Sequence, residues 1–322
     1  MAQNITIGFI GYGNMAQAIA QGLVDAGVVN GGDIVACAAH YDKLEASTAK
    51  LGARPLHSAR EVAAAADVVV IAIKPYQIES VIKPIADEFA KNGRFVVSIA
   101  AGWDLAKNQK LLDDLAQSIH IQCTIPNTPM AVGKGVLVTE TDNTLTDMQT
   151  EVFESLFGPI SLIERVDTAH MTIAMVVAGC APAFTDMYIE ALGDAGVQYG
   201  LQRATAYRLA AKMVEGVGAL YMATGTHPGA MKDAVCSPGG TTIRGVAKLE
   251  KDGFRGYRRR RRHRRLIPQK GPSDGRHPRC SSISSGALSR ESSISHAANG
   301  TFAGWTESCC RMAQAVCCYS AP

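Results

Sequence analysis

Residues 235–243 read Val235-Cys236-Ser237-Pro238-Gly239-Gly240-Thr241-Thr242-Ile243. Pro238 fixes one backbone dihedral, Gly239 and Gly240 free the next two, and two hydroxyl residues stand where an apolar-periodic helix begins. Such a turn presents several unpaired N–H groups to an anion. A carboxylate or phosphate there gains about 0.3–1 kcal/mol from the helix terminus, and up to ~2 kcal/mol if partly buried. The alternative is structural: Thr241 or Thr242 simply caps the helix. A second constellation, Gly11-Tyr12-Gly13-Asn14-Met15-Ala16, carries the Gly-x-Gly-x-x-Gly/Ala spacing that cradles a dinucleotide. Gly11 allows the tight turn, Gly13 admits the pyrophosphate, and Ala16 lets helix approach strand.

The surrounding elements suit that second reading. Residues 5–10 form a buried-strand pattern that runs straight into the glycines, and Ile19, Leu23 and Val24 continue at helical spacing. Strand, glycine turn and helix together form the context the fingerprint requires. A second strand over 34–39 ends at His40 and Tyr41, without the acid that would hold the ribose hydroxyls of NAD. His40 and Lys43 lie close by instead, which favours NADP. Continuous apolar strands over 67–73 and 94–99 predict a parallel sheet covered on both faces. They run into Ala72-Ile73-Lys74-Pro75 and Ile99-Ala100-Ala101-Gly102, the positions where a doubly wound sheet places its ligand. A strand over 119–123 precedes the proline-bracketed turn that holds Asn127.

The fold class is therefore α/β: a Rossmann-type doubly wound sheet over 1–165, followed over 166–256 by an all-α region. Between Thr168 and Tyr221 helical spacing replaces strand alternation, and Met171, Ile173, Met175, Val176 and Val177 are apolar nearly all round, which predicts burial on more than one side. The Met-rich face reads as core. Gly216 and Gly218 would admit a close helix. So much apolar helical surface points to a partner subunit.

The chain has 322 residues, 47% of them hydrophobic, enough for two domains with buried cores. Its start lacks a basic segment followed by an apolar run, and no apolar stretch approaches the roughly 18 residues of a membrane span, so a cytoplasmic protein is expected. The net charge of +3 conceals an asymmetry, because residues 257–322 hold 11 Arg and 1 Lys against 3 acids and leave the body acidic. Nothing in the body suggests a nucleic-acid surface, and the isolated cysteines lack the spacing of a metal site.

In combination, the residues quoted from 8 to 16, Ala72 to Pro75, residues 97–102, Pro126 to Pro129, His227 to Asp233 and Val235 to Ile243 resemble pyrroline-5-carboxylate reductase, with all motifs in order over residues 5–256. That family reduces 1-pyrroline-5-carboxylate to L-proline with NAD(P)H, the last step of proline biosynthesis, and its helical domains interleave in a homodimer that can assemble further. The resemblance implies that Ser237, Gly239, Gly240 and Thr241 hold the substrate carboxylate, that Val235 also binds the substrate, and that the Thr242 hydroxyl faces the imine nitrogen. It also implies that residues 11–16, His40, Lys43, residues 72–75, Ile99, Ala100, Ala101 and Asn127 hold the cofactor. Two departures stand out: Cys123-Thr124-Ile125-Pro126 where the family usually has Arg-x-Met-Pro, and Ala178-Gly179-Cys180-Ala181-Pro182-Ala183-Phe184 where it usually has Ser-Gly-Ser-Gly-Pro-Ala-Tyr. The readings left open are a related NADP-dependent imine or keto-acid reductase and a non-catalytic NADP-binding protein.

From Tyr257 the pattern breaks into a run rich in Arg, then a Ser-, Arg- and Cys-rich remainder. A solvated basic arm is one reading. The other is a frameshift, because Arg codons of the CGN type followed by C, read one base later, encode small, apolar and acidic residues of the kind a final helix would need. On that reading the remainder is disordered and without evolved function.

Overall fold

The computed structural model describes residues 5–91 and 93–255, so the expectations for the 257–322 tail lie outside the described residues. The chain divides into two compact units, Met1–Ala183 and Phe184–Pro322.

The first unit is built on strands β1 (Ile7–Ile10), β2 (Ile34–Cys37), β3 (Arg54–Pro55), β4 (Val68–Ile71), β5 (Phe95–Ser98), β6 (His120–Pro126), β7 (Gly135–Glu140) and β8 (Ser161–Val166). They form one sheet in the order β3-β2-β1-β4-β5-β6-β7-β8. Neighbours from β3 to β6 are parallel, so these strands end along one edge, and β7 alone among these pairings runs antiparallel, to β6. The first six reproduce the 3-2-1-4-5-6 order of dinucleotide-binding sheets, with the reversal of strand order between β1 and β4.

Both faces are covered, which is why the strands read as unbroken apolar runs. In β4, Val68 and Val70 join the core under α1 (Asn14–Asp25), α2 (Tyr41–Thr48) and α7 (Asp147–Phe157), while Val69 and Ile71 join the core on the opposite face. That second core receives α3 (Ala59–Ala65), α4 (Ile78–Ile82), α5 (Ala86–Phe89) and α6 (Leu105–Leu112). On α1, Ala16, Ile19, Ala20 and Leu23 repeat at helical spacing and are all buried. The sheet ends at Val166, one residue past the expected limit of 165, and the first compact unit runs on to Ala183.

The helical region follows as α8 (Met171–Ala174), a π-helical stretch Met175–Cys180, α9 (Ala181–Gln198), α10 (Arg203–Thr224), α11 (Pro228–Ala234) and α12 (Thr241–Lys251). Within the second unit α9 packs on α10 through its glycines: a Cβ on Gly193 would come 2.3 Å from the Tyr207 ring, and one on Gly196 would come 2.9 Å from Ala206. Among the described residues of one chain a Cβ on Gly216 or Gly218 meets nothing within 4 Å, so the same chain does not supply the close helix these glycines would admit. The burial expected for residues 171–177 is likewise absent within one chain. Ile173, Val176 and Val177 are 43%, 40% and 69% exposed. The α8–π–α9 helix, Met171–Gln198, is also long and apolar enough by length and composition to cross a membrane, contrary to the reading of the sequence. The π-helical stretch contributes to this, because it joins the four-residue α8 to the 18-residue α9 in one helix of 28 residues.

Candidate functional site

Along the edge where the parallel strands end, four turns assemble. The first links β1 to α1. Gly11 has φ +92°, its N–H bonds the Cys37 carbonyl at 2.9 Å, and a Cβ there would lie 2.7 Å from the Ala72 carbonyl oxygen. Only glycine tolerates both that backbone and that approach. Gly13 is different. Its φ of −82° suits any residue, and a Cβ would meet nothing within 4 Å, so neither backbone nor packing asks for glycine. Space for an approaching ligand is the remaining reason. Gly13 is also the N-cap of α1, with no side-chain cap and no acid in the first turn, so the first N–H groups and the helix dipole suit an anion.

Tyr12 and Met15 contribute differently from what the motif alone implied. Tyr12 is 6% exposed, its ring packs edge-on against Phe9 at 5.8 Å, and its buried hydroxyl has no hydrogen-bond partner among the described residues. Burial pushes its pKa from 10.0 to about 12. Met15 packs against the same core and Ala16 is buried within it, so these side chains serve the helix–sheet contact, while Asn14 is exposed at the turn.

The β2 turn carries His40 as the exposed N-cap of α2, with Lys43 exposed in its first turn. A feature invisible in the sequence joins them: His57, just beyond β3, stacks on Tyr41 with centroids 4.2 Å apart and planes at 14°. Sixteen residues separate the partners, and only the β2–β3 pairing brings them together. After β4, Ala72 and Ile73 are half-buried and Lys74 and Pro75 exposed, and the Gln77 side chain accepts from the Lys74 N–H at 3.2 Å. After β5, Ala100 is buried, Ile99 half-buried and Ala101 exposed.

Asn127, after β6, is occupied by the protein itself. It is 6% exposed, its Nδ2 donates to the Ala178 carbonyl at 3.0 Å, and its Oδ1 accepts from the Val136 N–H at 2.8 Å. The side chain thus ties the β6 turn to β7 and to the π-helical stretch.

In the second unit, Gly239 takes φ +67° and Gly240, at φ −71°, is the N-cap of α12 with no side-chain hydrogen bond. Neither threonine caps the helix. Thr241 and Thr242 are its first two residues, both exposed. The Gly240 N–H bonds the Ser237 carbonyl at 3.0 Å, and a Cβ on Gly240 would fall 2.5 Å from the Ser237 hydroxyl oxygen, so Ser237 and the turn are one unit. Val235 is 65% exposed beside it. Across α11, His227 Nδ1 accepts from the Gly229 N–H at 3.1 Å and fixes the start of that helix. Among the described residues no group of three or more His, Cys, Asp or Glu is placed to hold a metal.

A doubly wound sheet with an uncapped glycine turn at its strand reversal, followed by apolar helices, defines a nicotinamide-dinucleotide oxidoreductase with a helical second domain. Residues 6–102 match the family model described as NADP oxidoreductase, coenzyme F420-dependent, and residues 168–260 match that for pyrroline-5-carboxylate reductase dimerisation. The chain is 42% identical over 252 residues to the pyrroline-5-carboxylate reductase of Treponema pallidum, covering 78% of this chain and 95% of that protein. Among solved structures it is similar to pyrroline carboxylate reductase of Plasmodium falciparum with NADP bound, at 26% identity and TM-score 0.70 over 79% of this chain and 92% of that one. The Coxiella burnetii pyrroline-5-carboxylate reductase gives 30% identity and TM-score 0.67 over 79% and 93%. The chain belongs to the pyrroline-5-carboxylate reductase family.

Proposed function

We propose that this chain reduces 1-pyrroline-5-carboxylate to L-proline with NADPH, NADH serving less well. The uncapped N-terminus of α12 carries the reading: a chain with two threonines in hand leaves the helix start to Gly240, which keeps the N–H groups available for the substrate carboxylate. Ser237, Gly239, Gly240 and Thr241 line that anion site, with Val235 against the ring. The Thr242 hydroxyl donates a hydrogen bond to the imine nitrogen, drawing electron density from the C=N bond and stabilising the nitrogen as it acquires its proton. In the first unit the turn at 11–16 receives the pyrophosphate, His40 and Lys43 the 2′-phosphate, and the loops at 72–75 and 99–101 the remainder of the cofactor, with Asn127 holding the adjoining turn in shape. NADPH, when bound, supplies the hydride that reduces the carbon of the C=N bond.

Purified chain assayed with pyrroline-5-carboxylate and either cofactor tests the reading. Oxidation of NADPH dependent on that substrate supports it. Turnover only with another imine or keto acid would favour a related reductase, and NADPH binding without turnover a non-catalytic protein. The protein is placed in the cytoplasm as a homo-oligomer joined through its helical domain, with no role for nucleic acid or membrane. For the tail after residue 256 the proposal stays a frameshift. Stop codons or low-complexity sequence in the next frame of the coding DNA, rather than an amphipathic helix, would overturn it.

A further inference from the structure

The antiparallel turn of β7 brings Glu140, its last residue, to the sheet interior one step beyond the Thr124–Thr139 pair. It is 1% exposed. Its Oε2 accepts from the Leu105 N–H at 2.9 Å and its Oε1 from the Thr168 hydroxyl at 2.5 Å. The Cys123 thiol neighbours the same carboxylate. A buried carboxylate held by these neutral groups needs another source of stabilisation, and the site provides one. Leu105 is the first residue of α6, so its N–H has no partner within the helix, and the positive end of the helix dipole faces the charge. Burial and the neighbouring carboxylate push the Cys123 thiol well up, so it stays protonated. Asn108 braces the arrangement, its Nδ2 reaching the Asp104 carbonyl at 3.0 Å and Cys123 Sγ at 3.4 Å.

The element so anchored is the one that closes the β5 turn. Residues 99–104 run from the end of β5 to α6, with the Trp103 N–H bonded to the Ala100 carbonyl at 3.1 Å. Ser98 before them pairs in register with Cys123, so one end of the loop is fixed by the sheet and the other by Glu140.

We propose that Glu140 is a positioning residue for the cofactor: by clamping the start of α6 to β7 and to Thr168, it holds Ile99, Ala100 and Ala101 in the shape that receives NADPH. This rests on the reading of that loop as part of the cofactor site.

The test titrates NADPH against the full chain carrying Trp305→Phe, so that fluorescence from Trp103 alone reports the loop, and measures both KM values. Glu140→Ala is expected to weaken NADPH binding about tenfold and shift Trp103 emission, with the KM for pyrroline-5-carboxylate unchanged. Glu140→Gln keeps an acceptor for Leu105 and turns its amide to the Thr168 oxygen, and is expected to bind within about threefold of the parent. Wild-type affinity in a folded Glu140→Ala protein, or equal loss in both KM values, overturns the proposal, as does Glu140→Gln binding no better than Glu140→Ala. Should Glu140→Ala not fold, Thr168→Val decides, with about threefold weaker NADPH binding expected and no change overturning the proposal. Should the parent chain fail to reduce pyrroline-5-carboxylate, the reaction falls, and the NADPH titrations of Glu140→Ala, Glu140→Gln and the parent decide the Glu140 proposal without the KM values.

Discussion

On the proposed reading Gly13 serves the cofactor and Thr242 the imine, and substitutions should separate those roles. Gly13→Val introduces a side chain that meets no protein atom within 4 Å at a backbone that accepts it, so the protein should fold, losing about 1 kcal/mol as a poorer N-cap, while NADPH binding disappears. Thr242→Ala should leave NADPH binding intact and lower kcat/KM about 5- to 150-fold, the cost of one hydrogen bond to the reacting nitrogen. Calorimetric titration together with steady-state rates would check both, and unchanged efficiency in Thr242→Ala would remove Thr242 from the mechanism. Tyr12 belongs to stability. Its buried hydroxyl has no partner among the described residues, a desolvation penalty that phenylalanine would not carry, so Tyr12→Phe should stabilise by about 1 kcal/mol in urea unfolding at neutral pH. The pH dependence follows from the raised pKa. The unfolded phenol ionises near 10.0 and the folded one at about 12, so stability is fully present below pH 10 and falls as pH rises toward 12. Tyr12→Phe should remove that alkaline slope.

Among the elements, the β6 turn has a larger part than its sequence suggests. Asn127 lies between two proline positions and reads as a ligand contact, yet both ends of its amide are spent on Val136 and Ala178. It joins β6, β7 and the π-helical stretch Met175–Cys180, a geometry found chiefly as local bulges, whose carbonyls need outside partners. Asn127→Ala would leave a part-buried N–H and a part-buried carbonyl without that partner, at about 1–2 kcal/mol together, and lower Tm by roughly 3–6 °C. NADPH affinity should fall far less than in Gly13→Val. A thermal melt with cofactor titration compares them, and an unchanged Tm would mean that water replaces the amide.

For the molecule as a whole, the exposed helical surface dominates. Leu209, Met213, Val217 and Leu220 recur at helical spacing on α10 and are 59%, 39%, 54% and 54% exposed. An apolar stripe of that kind marks a protein contact, and the match of residues 168–260 to a dimerisation model identifies its class. The 28-residue apolar helix at 171–198 has the same explanation: subunit burial accounts for its composition as well as lipid would. Leu209→Glu with Val217→Glu should convert the assembly to monomers in sedimentation velocity while leaving NADPH binding in place. A wild-type chain that sediments as a monomer would overturn the interface.

Much of this was open to reading in the chain itself, because the periodicities involved are local. Unbroken apolar strands, a glycine turn and a 3.6-residue pattern depend on neighbours a few residues apart, and so the Rossmann class, the β1–α1 turn and the α12 start are legible from residues 5–16 and 235–243. The last two strands are less so: β7 runs antiparallel to β6, β8 is half-covered, and they carry polar residues such as Thr139, Glu140 and Glu164 that break the apolar run. Contacts between distant residues were settled only by the tertiary structure. The stacking of His57 on Tyr41, the spending of Asn127 on Ala178 and the burial of Glu140 against Leu105 and Thr168 join positions 16 to 51 residues apart, and no local pattern encodes which strands will pair to bring them together. Burial likewise depends on the fold. Tyr12 and Gly13 are adjacent in one motif, yet one side chain turns into the core while the other position opens to solvent, a division that the packing of α1 on the sheet imposes.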